Sequence, residues 1–538
     1  MASACVGLAL WGAAGVVEAQ APAGQAGQGG AAATIAVTGF TVEGNTLLSR
    51  QQLDGVLNAR VGYLTPAGLR AVAAALQERY REAGYGGVVV FLPEQTLTGG
   101  VVKLRVLEGK LARIEISGHK QFDEANVRAS LHSLVIGQTP RVRSIDAEIQ
   151  MANESPAKTV QVLLKPGSAP GEIAAEVAVQ EQRVWRMLGR VDNTGGESLG
   201  RWRTALGLQH ANLWNADHVL TFEWQTAPEN TSAVRVASGS YRAPLPGLGL
   251  AIDAYGVVSE VDSGVVGTAA GDLQFSGKGG IAGLRLNGYM PRVDNVDARV
   301  IFGIEAREYR NNCAIQGLPA GACGSAGASV SLQPVSLTYT AQASSSWRWG
   351  LSFGLHGNLA AGGEYGSAAD FEAVRPGAPQ RYTLLRTNYF ATVPVGEWAV
   401  LGARAAGQFS GRPLVPGEMF GIGGAQSVRG FEERELSGDS GATLSVEAQT
   451  ANLVAGWKPA AGGDVRLLAF ADAGAVRNSD DTPCQIDRTQ CRFGSLGLGV
   501  RGQWPAVQVR LDFARAMAGG TSTLKGDTRA HFALLFAL

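Results

Sequence analysis

The chain has 538 residues, 46 basic and 46 acidic side chains, and a formal net charge of zero. That balance leaves no strong field to steer it toward nucleic acid or an acidic substrate. The length exceeds one ordinary soluble domain. Past the N-terminus no run of 18 apolar residues occurs, which argues against a transmembrane helix.

The first segment, "MASACVGLALWGAAGVVEAQAPAG", holds an apolar stretch from Ala4 to Val17. It ends at Ala19-Gln20-Ala21, an A-x-A cleavage pattern, although no basic residue precedes it. Residues 1–21 therefore read as a secretory signal peptide, and residues 22–33, rich in Ala, Gly and Gln, as a short linker. Of the five cysteines, Cys5 leaves with the signal. The other four form two local pairs, Cys313 with Cys323 and Cys484 with Cys491, in polar or Gly/Pro-rich stretches. In an exported chain this suggests two loop disulfides. Neither pair has the tight C-x-x-C spacing of a zinc site, and the six histidines show no H-E-x-x-H pattern. No metal or other cofactor is expected.

From residue 34 the pattern changes. "TIAVTGFTVEGN" alternates like a strand, and a short helical stretch follows around Ser49–Leu57. In "TPAGLRAVAAALQERYREAGY", Thr65 is a good N-cap, Pro66 suits the first helical position and Gly84 suits the stop. Leu69, Val72, Ala73, Leu76 and Tyr80 recur at helical spacing. "VVVFLP" and "VVKLRVLEG" follow as strands. The same order repeats from Leu111 to Gln182, with "LARIEISGHKQF" as a strand, "DEANVRASLHSL" and "RSIDAEIQMANES" as helices, and "AKTVQVLLKPG" and "GEIAAEVAVQEQ" as strands. Residues 34–110 and 111–182 thus read as two α+β modules of β-α-α-β-β order.

After residue 183 the helical signals vanish. Segments of about ten residues alternate in hydrophobicity between Gly, Asp, Asn and Pro turns. In "HVLTFEW", Leu220, Phe222 and Trp224 oppose Val219, Thr221 and Glu223. In "TLSVEAQ", Leu444, Val446 and Ala448 oppose Ser445, Glu447 and Gln449. In "VQVRLDF", Val507, Val509, Leu511 and Phe513 oppose Gln508, Arg510 and Asp512. One bare apolar face and one charged face fit an antiparallel transmembrane β-barrel of about sixteen strands over residues 183–538, with a wet lumen.

"GGAQSVRGFEERELSGDSG", Gly423 to Gly441, interrupts that series. An arginine among glycines inside a barrel requires a carboxylate, ideally a bidentate one. In "DVRLLAFADAGAVR" the small residues Ala469, Ala471 and Ala473 share one face, which suits lipid and turns Asp472 inward. Arg429 and Asp472 are therefore expected to meet in the lumen. The pair has two readings, a loop held in a working position or a simple brace of the barrel.

"SVRGF", with Val428, Arg429, Gly430 and Phe431, resembles the VRGF/Y signature of the superfamily that includes two-partner secretion transporters and the barrel-assembly factor. "FADAG", with Phe470, Asp472 and Gly474, is similar to its F-x-D-x-G strand motif. The loop falls between the eleventh and twelfth candidate strands, and F-x-D-x-G on the thirteenth. "YREAGYGGVVVFLPEQTLTGGVVKLRVLEGKLARIEISG" resembles the first POTRA domain of hemolysin-activation type transporters, and "LLKPGSAPGE" the end of their second. "RVDNTGGESLGRWR" and "LQHANLWNADHVL" look like their first barrel strands. The resemblance spans residues 34 to 538 and departs from the family at three points, the first being the missing basic residues ahead of Ala4. "APAGQAGQGGAAAT" lacks the length and pattern of a plug helix, and the chain ends on Leu538 rather than an aromatic residue.

The resemblance implies an outer-membrane polypeptide transporter, not an enzyme, with POTRA 1 (34–110) and POTRA 2 (111–182) in the periplasm and loop 410–441 folded into the barrel. Its implied partners are a large exported exoprotein of the adhesin or cytolysin class, the barrel-assembly machinery during biogenesis, and the lipid bilayer, with no nucleic acid. Strand addition to a POTRA edge is the expected mode of capture, with "VVKLRVLEG" and "VQVLLKPG" as candidate edges. An insertase and a diffusion porin are the alternatives.

Overall fold

The computed structural model describes residues 34–97, 99–196, 200–232, 234–260, 264–268, 271–275, 278–310, 328–457, 462–480, 482–485 and 488–538. Residues 34–79 with 90–106 form one unit, and residues 80–89 with 107–538 another. The expected signal peptide, the linker, Cys313 and Cys323 lie outside the described residues.

The N-terminal elements are β1 (Ile35–Val37), β2 (Gly39–Glu43), α1 (Arg50–Leu57), β3 (Gly62–Leu64), α2 (Pro66–Glu82), β4 (Val88–Phe91) and β5 (Val101–Glu108). Ser49 and Gln52 form a capping box that starts α1. Thr65 Oγ1 accepts from Gly68 N at 3.1 Å and starts α2. Leu69, Val72, Ala73 and Leu76 are buried, as their spacing requires. Two features differ from expectation. A short strand, β3, separates the helices and pairs antiparallel with β1. The sheet order is β2-β5-β4, so β5, the "VVKLRVLE" segment, is central. Its backbone groups are used on both sides, and it is not an edge that can accept an added strand.

The second module has β6 (Lys110–Ser117), α3 (Glu124–Ser130), α4 (Val142–Ala152), β7 (Lys158–Pro166) and β8 (Glu172–Glu181). Asp123 caps α3 by accepting from Asn126 N at 2.8 Å. The sheet order is β6-β8-β7, which leaves β7 at an edge. Leu111, Phe122, Val127, Leu131, Ile145, Val160 and Val177 form its core. Ala211 and Val219, which flank the first barrel turn, belong to the same apolar cluster.

The barrel begins with β9 (Trp185–Asp192), β10 (Arg203–Leu213), β11 (His218–Thr226), β12 (Arg235–Leu245) and β13 (Leu250–Glu260). A loop hairpin, β14 (Gly264–Thr268) with β15 (Gly271–Phe275), precedes β16 (Lys278–Tyr289) and β17 (Val296–Arg310). Then come β18 (Val330–Leu332), β19 (Pro334–Ser344), β20 (Arg348–Asn358), α5 (Ala368–Val374), β21 (Thr383–Val395) and β22 (Ala399–Ser410). The inward loop carries β23 (Phe420–Ile422) and β24 (Leu436–Gly438). The series ends with β25 (Ser440–Thr450), β26 (Asp464–Arg477), β27 (Gln490–Gln503), β28 (Val507–Ala516) and β29 (Thr528–Ala537).

Neighbouring strands pair antiparallel, and β29 closes on β9 from Ala533↔Asp192 to Ala537↔Leu188. Seventeen pieces line the closed sheet, but β18 and β19 both pair with β17 and are two parts of one strand, which leaves sixteen. The alternation read from the sequence sorts as lipid and lumen faces require. Phe222, Leu444 and Phe513 are 55%, 49% and 51% exposed, while Thr221, Ser445 and Asp512 are buried.

Helix α5 departs from the expectation that helical signals end at residue 183. Ser367 and Asp370 form its capping box, the S-x-x-D pattern that marks such a start. Phe371 and Val374 pack into an apolar cluster with Tyr255, Ile281, Tyr382 and Leu414 on the inward side of the strands. Seven residues are too few for the periodic pattern to stand out from the surrounding strands.

Candidate functional site in the barrel lumen

The loop between β22 and β25 returns into the barrel as the hairpin β23–β24, registered from Phe420↔Gly438 to Ile422↔Leu436. It connects the eleventh and twelfth strands, and F-x-D-x-G lies on the thirteenth, β26. Ile422, Val428, Phe431 and Leu436 of the loop pack on Val476, Phe493 and Ala516 of the wall. Phe431 stacks on Phe493 at 3.8 Å between centroids and 8° between planes.

Arg429 is 1% exposed. Its Nε donates to Asp472 Oδ2 at 2.7 Å, its Nη2 donates to Asp472 Oδ1 at 2.7 Å, and its backbone N donates to Oδ2 at 3.1 Å. The bidentate geometry fixes both distance and plane. Asp472 sits on β26 between Ser445 of β25 and Ser495 of β27. Alternation places Leu468, Phe470 and Asp472 inside and Leu467, Ala469 and Ala471 outside.

Sequence reading identified one partner for Arg429; the folded barrel supplies several more. Nη2 donates to Ser445 Oγ at 3.0 Å. Nη1 stands 2.8 Å from Glu447 Oε1 and 3.5 Å from Asp512 Oδ1. The guanidinium carbon lies 3.4 Å from the Phe470 ring centroid, which gives the Phe of F-x-D-x-G a role as a cation–π floor. His531 on β29, the last strand, accepts from Gly430 N through Nε2 at 2.9 Å. Glu447 and Asp512 were already visible as lumen-facing charges in their strands. Nothing in one strand, however, says which other strand or loop will stand opposite.

Two glycines are required here. Gly430 has φ +92°, a left-handed conformation, and a Cβ there would stand 3.2 Å from Ala514 Cβ. A Cβ on Gly474 would meet Val428 Cγ2 at 2.8 Å, so the missing side chain makes room for the loop. Around this clamp is a lumen cavity of about 830 Å³, lined by Arg190, Arg404, Glu447, Arg501, Arg510 and Asp512 among others. Arg404 pairs with Glu447 at 3.2 Å and Arg501 with Asp512 at 2.8 Å. Nearer the loop ends of β26 and β27, Cys484 and Cys491 are joined in a disulfide.

The second module is fastened to the first barrel turn by a buried charge. Lys158 Nζ donates to Asp217 Oδ2 at 2.6 Å, Asn126 Oδ1 at 2.7 Å and Ser130 Oγ at 2.9 Å. Burial pushes the Lys158 ammonium below its ordinary range, against the pull of Asp217. Trp214, Asn215 and Asp217 all have positive φ, which bends the turn so that Asp217 reaches the module.

Residues 171–502 match the haemolysin secretion/activation protein family ShlB/FhaC/HecB, and residues 35–109 match the ShlB-type POTRA domain. The outer membrane transporter CdiB of Dickeya dadantii is 26% identical over 446 residues, covering 80% of this chain and 74% of that protein. The solved structure of CdiB from Escherichia coli superposes with a TM-score of 0.75 at 18% identity, covering 96% of this chain and 93% of that one. CdiB from Acinetobacter baumannii gives 0.71 at 18% identity, with 94% and 90% covered. The first family match alone takes in well over half of the sequence. The chain belongs to the haemolysin secretion/activation family ShlB/FhaC/HecB, the two-partner secretion transporters of the outer membrane, with its POTRA region in the periplasm.

Proposed function

We propose that the chain captures one large exported protein in the periplasm through two POTRA modules, residues 34–110 and 111–182, and passes it through the barrel of residues 183–538. The observation that carries this reading is the loop clamped inside a closed barrel by Arg429 and Asp472. The inward loop motif together with the POTRA modules argues against a diffusion porin. The incoming chain adds as an extended strand to the edge strand β7, whose Leu163 is 55% exposed. It then threads the lumen past the polar faces of the strands. Folding of the product outside supplies the pull, because folded product cannot slide back. No catalytic step is assigned, and the exported class is an adhesin or cytolysin. β29 is the segment offered to the barrel-assembly machinery, and the Cys484–Cys491 bond braces the loop beside the clamp.

The test is secretion. The chain is co-expressed with the exoprotein encoded nearest to it, and the medium is assayed for that exoprotein. Parallel strains carry Arg429→Ala, Asp472→Ala, or a deletion of residues 34–182. Secretion that needs all these features, with the point variants still forming heat-modifiable barrels, supports the reading. Wild-type secretion by Asp472→Ala removes the working role of the clamp and leaves it a brace. Loss of many other outer-membrane barrels on deletion of the whole chain points to an insertase instead.

A further inference from the structure

Besides α3 and β7 at the first barrel turn, helix α4 of the second module also reaches the barrel mouth. Ala147 and Met151, one turn apart, pack against Ala251 of β13 and Tyr289 of β16. That contact sets the roll of the helix. Gln150 of the helix, and Glu154 just past its end, line a cavity of about 440 Å³ on the lumen side. The far wall of this cavity includes Arg299, Arg404, and Gln426 and Ser427 of the inward loop. It is the space between the periplasmic module and the clamped loop.

Three lumen groups converge on the Glu154 carboxylate. Arg242 Nη2 pairs with Oε2, Arg299 Nη1 stands 2.5 Å from Oε1, and Tyr289 OH donates to Oε2 at 2.5 Å. Arg242 has a second carboxylate, Asp253, at 2.8 Å. Among the described residues Arg299 has no other carboxylate partner, and its Nε donates to Thr340 Oγ1 at 3.3 Å. With Glu154 the cluster carries two cations and two anions; without it one positive charge is left over at the mouth. Beside it, Gln150 Oε1 is buried with no hydrogen-bond partner among the described residues, an acceptor without a donor.

We propose that Arg242, Arg299 and Tyr289 form a carboxylate-binding subsite at the periplasmic mouth. Glu154 holds it at rest, and an Asp or Glu side chain of the exported polypeptide takes it in transit. The inference rests on the transporter reading. Glu154 lies two residues beyond the last residue of α4, past the Asn153 cap. The module stays docked through Met151, Ala147 and the Lys158–Asp217 bond, so the carboxylate can swing away without the helix leaving the rim. The vacated arginines then draw the next acidic residue in, while Gln150 Oε1 accepts a backbone N–H of the extended chain. Glu154 acts as a tethered placeholder that spares the resting lumen an uncompensated charge.

The test uses the full chain in planar lipid bilayers, with hexaglutamate added on the POTRA side as probe and hexalysine as control. A tethered side chain competes at an effective concentration on the order of millimolar. Glu154→Gln and Glu154→Ala are therefore expected to lower the half-blocking concentration of hexaglutamate by about tenfold. Adding Arg299→Gln to either variant is expected to abolish that gain, and hexalysine is expected to leave all channels unblocked. Heat-modifiability confirms that each variant is a folded barrel. The inference is overturned if the Glu154 variants are blocked no more readily than wild type, if that gain survives Arg299→Gln, or if hexalysine blocks equally. A wild-type chain that secretes its exoprotein, with Glu154 variants that show no such gain, sinks the subsite and leaves the transporter reading standing. A chain that fails to secrete sinks the transporter reading itself.

Discussion

Replacing Arg429 by methionine separates the charge of the clamp from its shape. Asp472 has a side chain that is 0% exposed, and among the described residues its cation partner is Arg429 alone. Glu447 keeps Arg404, and Asp512 keeps Arg501. Arg429→Met therefore strands one buried carboxylate, at a cost of about 3–5 kcal/mol. Asp472→Asn is milder, because Arg429 retains Glu447 at 2.8 Å and Asp512 at 3.5 Å. Its cost is about 1–3 kcal/mol, the value of a charged hydrogen bond partly replaced. The double variant Arg429→Met/Asp472→Asn removes the stranded charge and is expected to recover part of the loss.

Hydrogen exchange of the full chain in detergent reads the effect directly. The Arg429 and Gly430 amides are bonded to Asp472 and His531. A loss of 3–4 kcal/mol raises their opening about 10²–10³-fold, at 1.4 kcal/mol per decade. The order of exchange rates expected is wild type, Asp472→Asn, double variant, Arg429→Met. Unchanged exchange in Arg429→Met refutes the reasoning, as does an Asp472→Asn variant that opens as readily as Arg429→Met.

Other outcomes follow from the same geometry. Phe431→Ala removes a fully buried ring stacked on Phe493 and is expected to destabilise the docked loop by about 3–5 kcal/mol, seen as protease cleavage within residues 423–436. Gly474→Val places a branched side chain where a single Cβ already stands 2.8 Å from Val428, so secretion is expected to fall while the heat-modifiable barrel persists. His531→Ala leaves the buried Gly430 N–H without its acceptor, about 1–3 kcal/mol, and is expected to speed exchange at Gly430 without altering the strand amides. Lys158→Met strands Asp217 at the first turn by about 3–5 kcal/mol, and Lys158→Met/Asp217→Asn is expected to restore part of it, measured as protease sensitivity between residues 182 and 218.

The strand series, its lumen and lipid faces and the inward orientation of Asp472 were legible in the sequence. Each depends on alternation within one strand, which local residue order sets. The helices of the two modules were legible for the same kind of reason, since Thr65, Pro66 and the 3–4 spacing of Leu69, Val72, Ala73 and Leu76 act within a few residues. Where the reading failed, the deciding contact lay far along the chain. β5 carries the alternation of any half-buried strand, and only its pairing with both β2 and β4 makes it central. The ring around Arg429 draws Ser445 and Glu447 from β25, Asp512 from β28 and His531 from β29, positions up to 102 residues away that meet because the barrel closes. Glu154 reads as one more polar residue after a helix until Met151 seats that helix on the rim and brings Arg242 and Arg299 to its carboxylate. Period and spacing decide what each strand or helix shows on its own face. Which faces meet is decided by closure and docking, because those contacts gain their energy only after distant segments have been brought together.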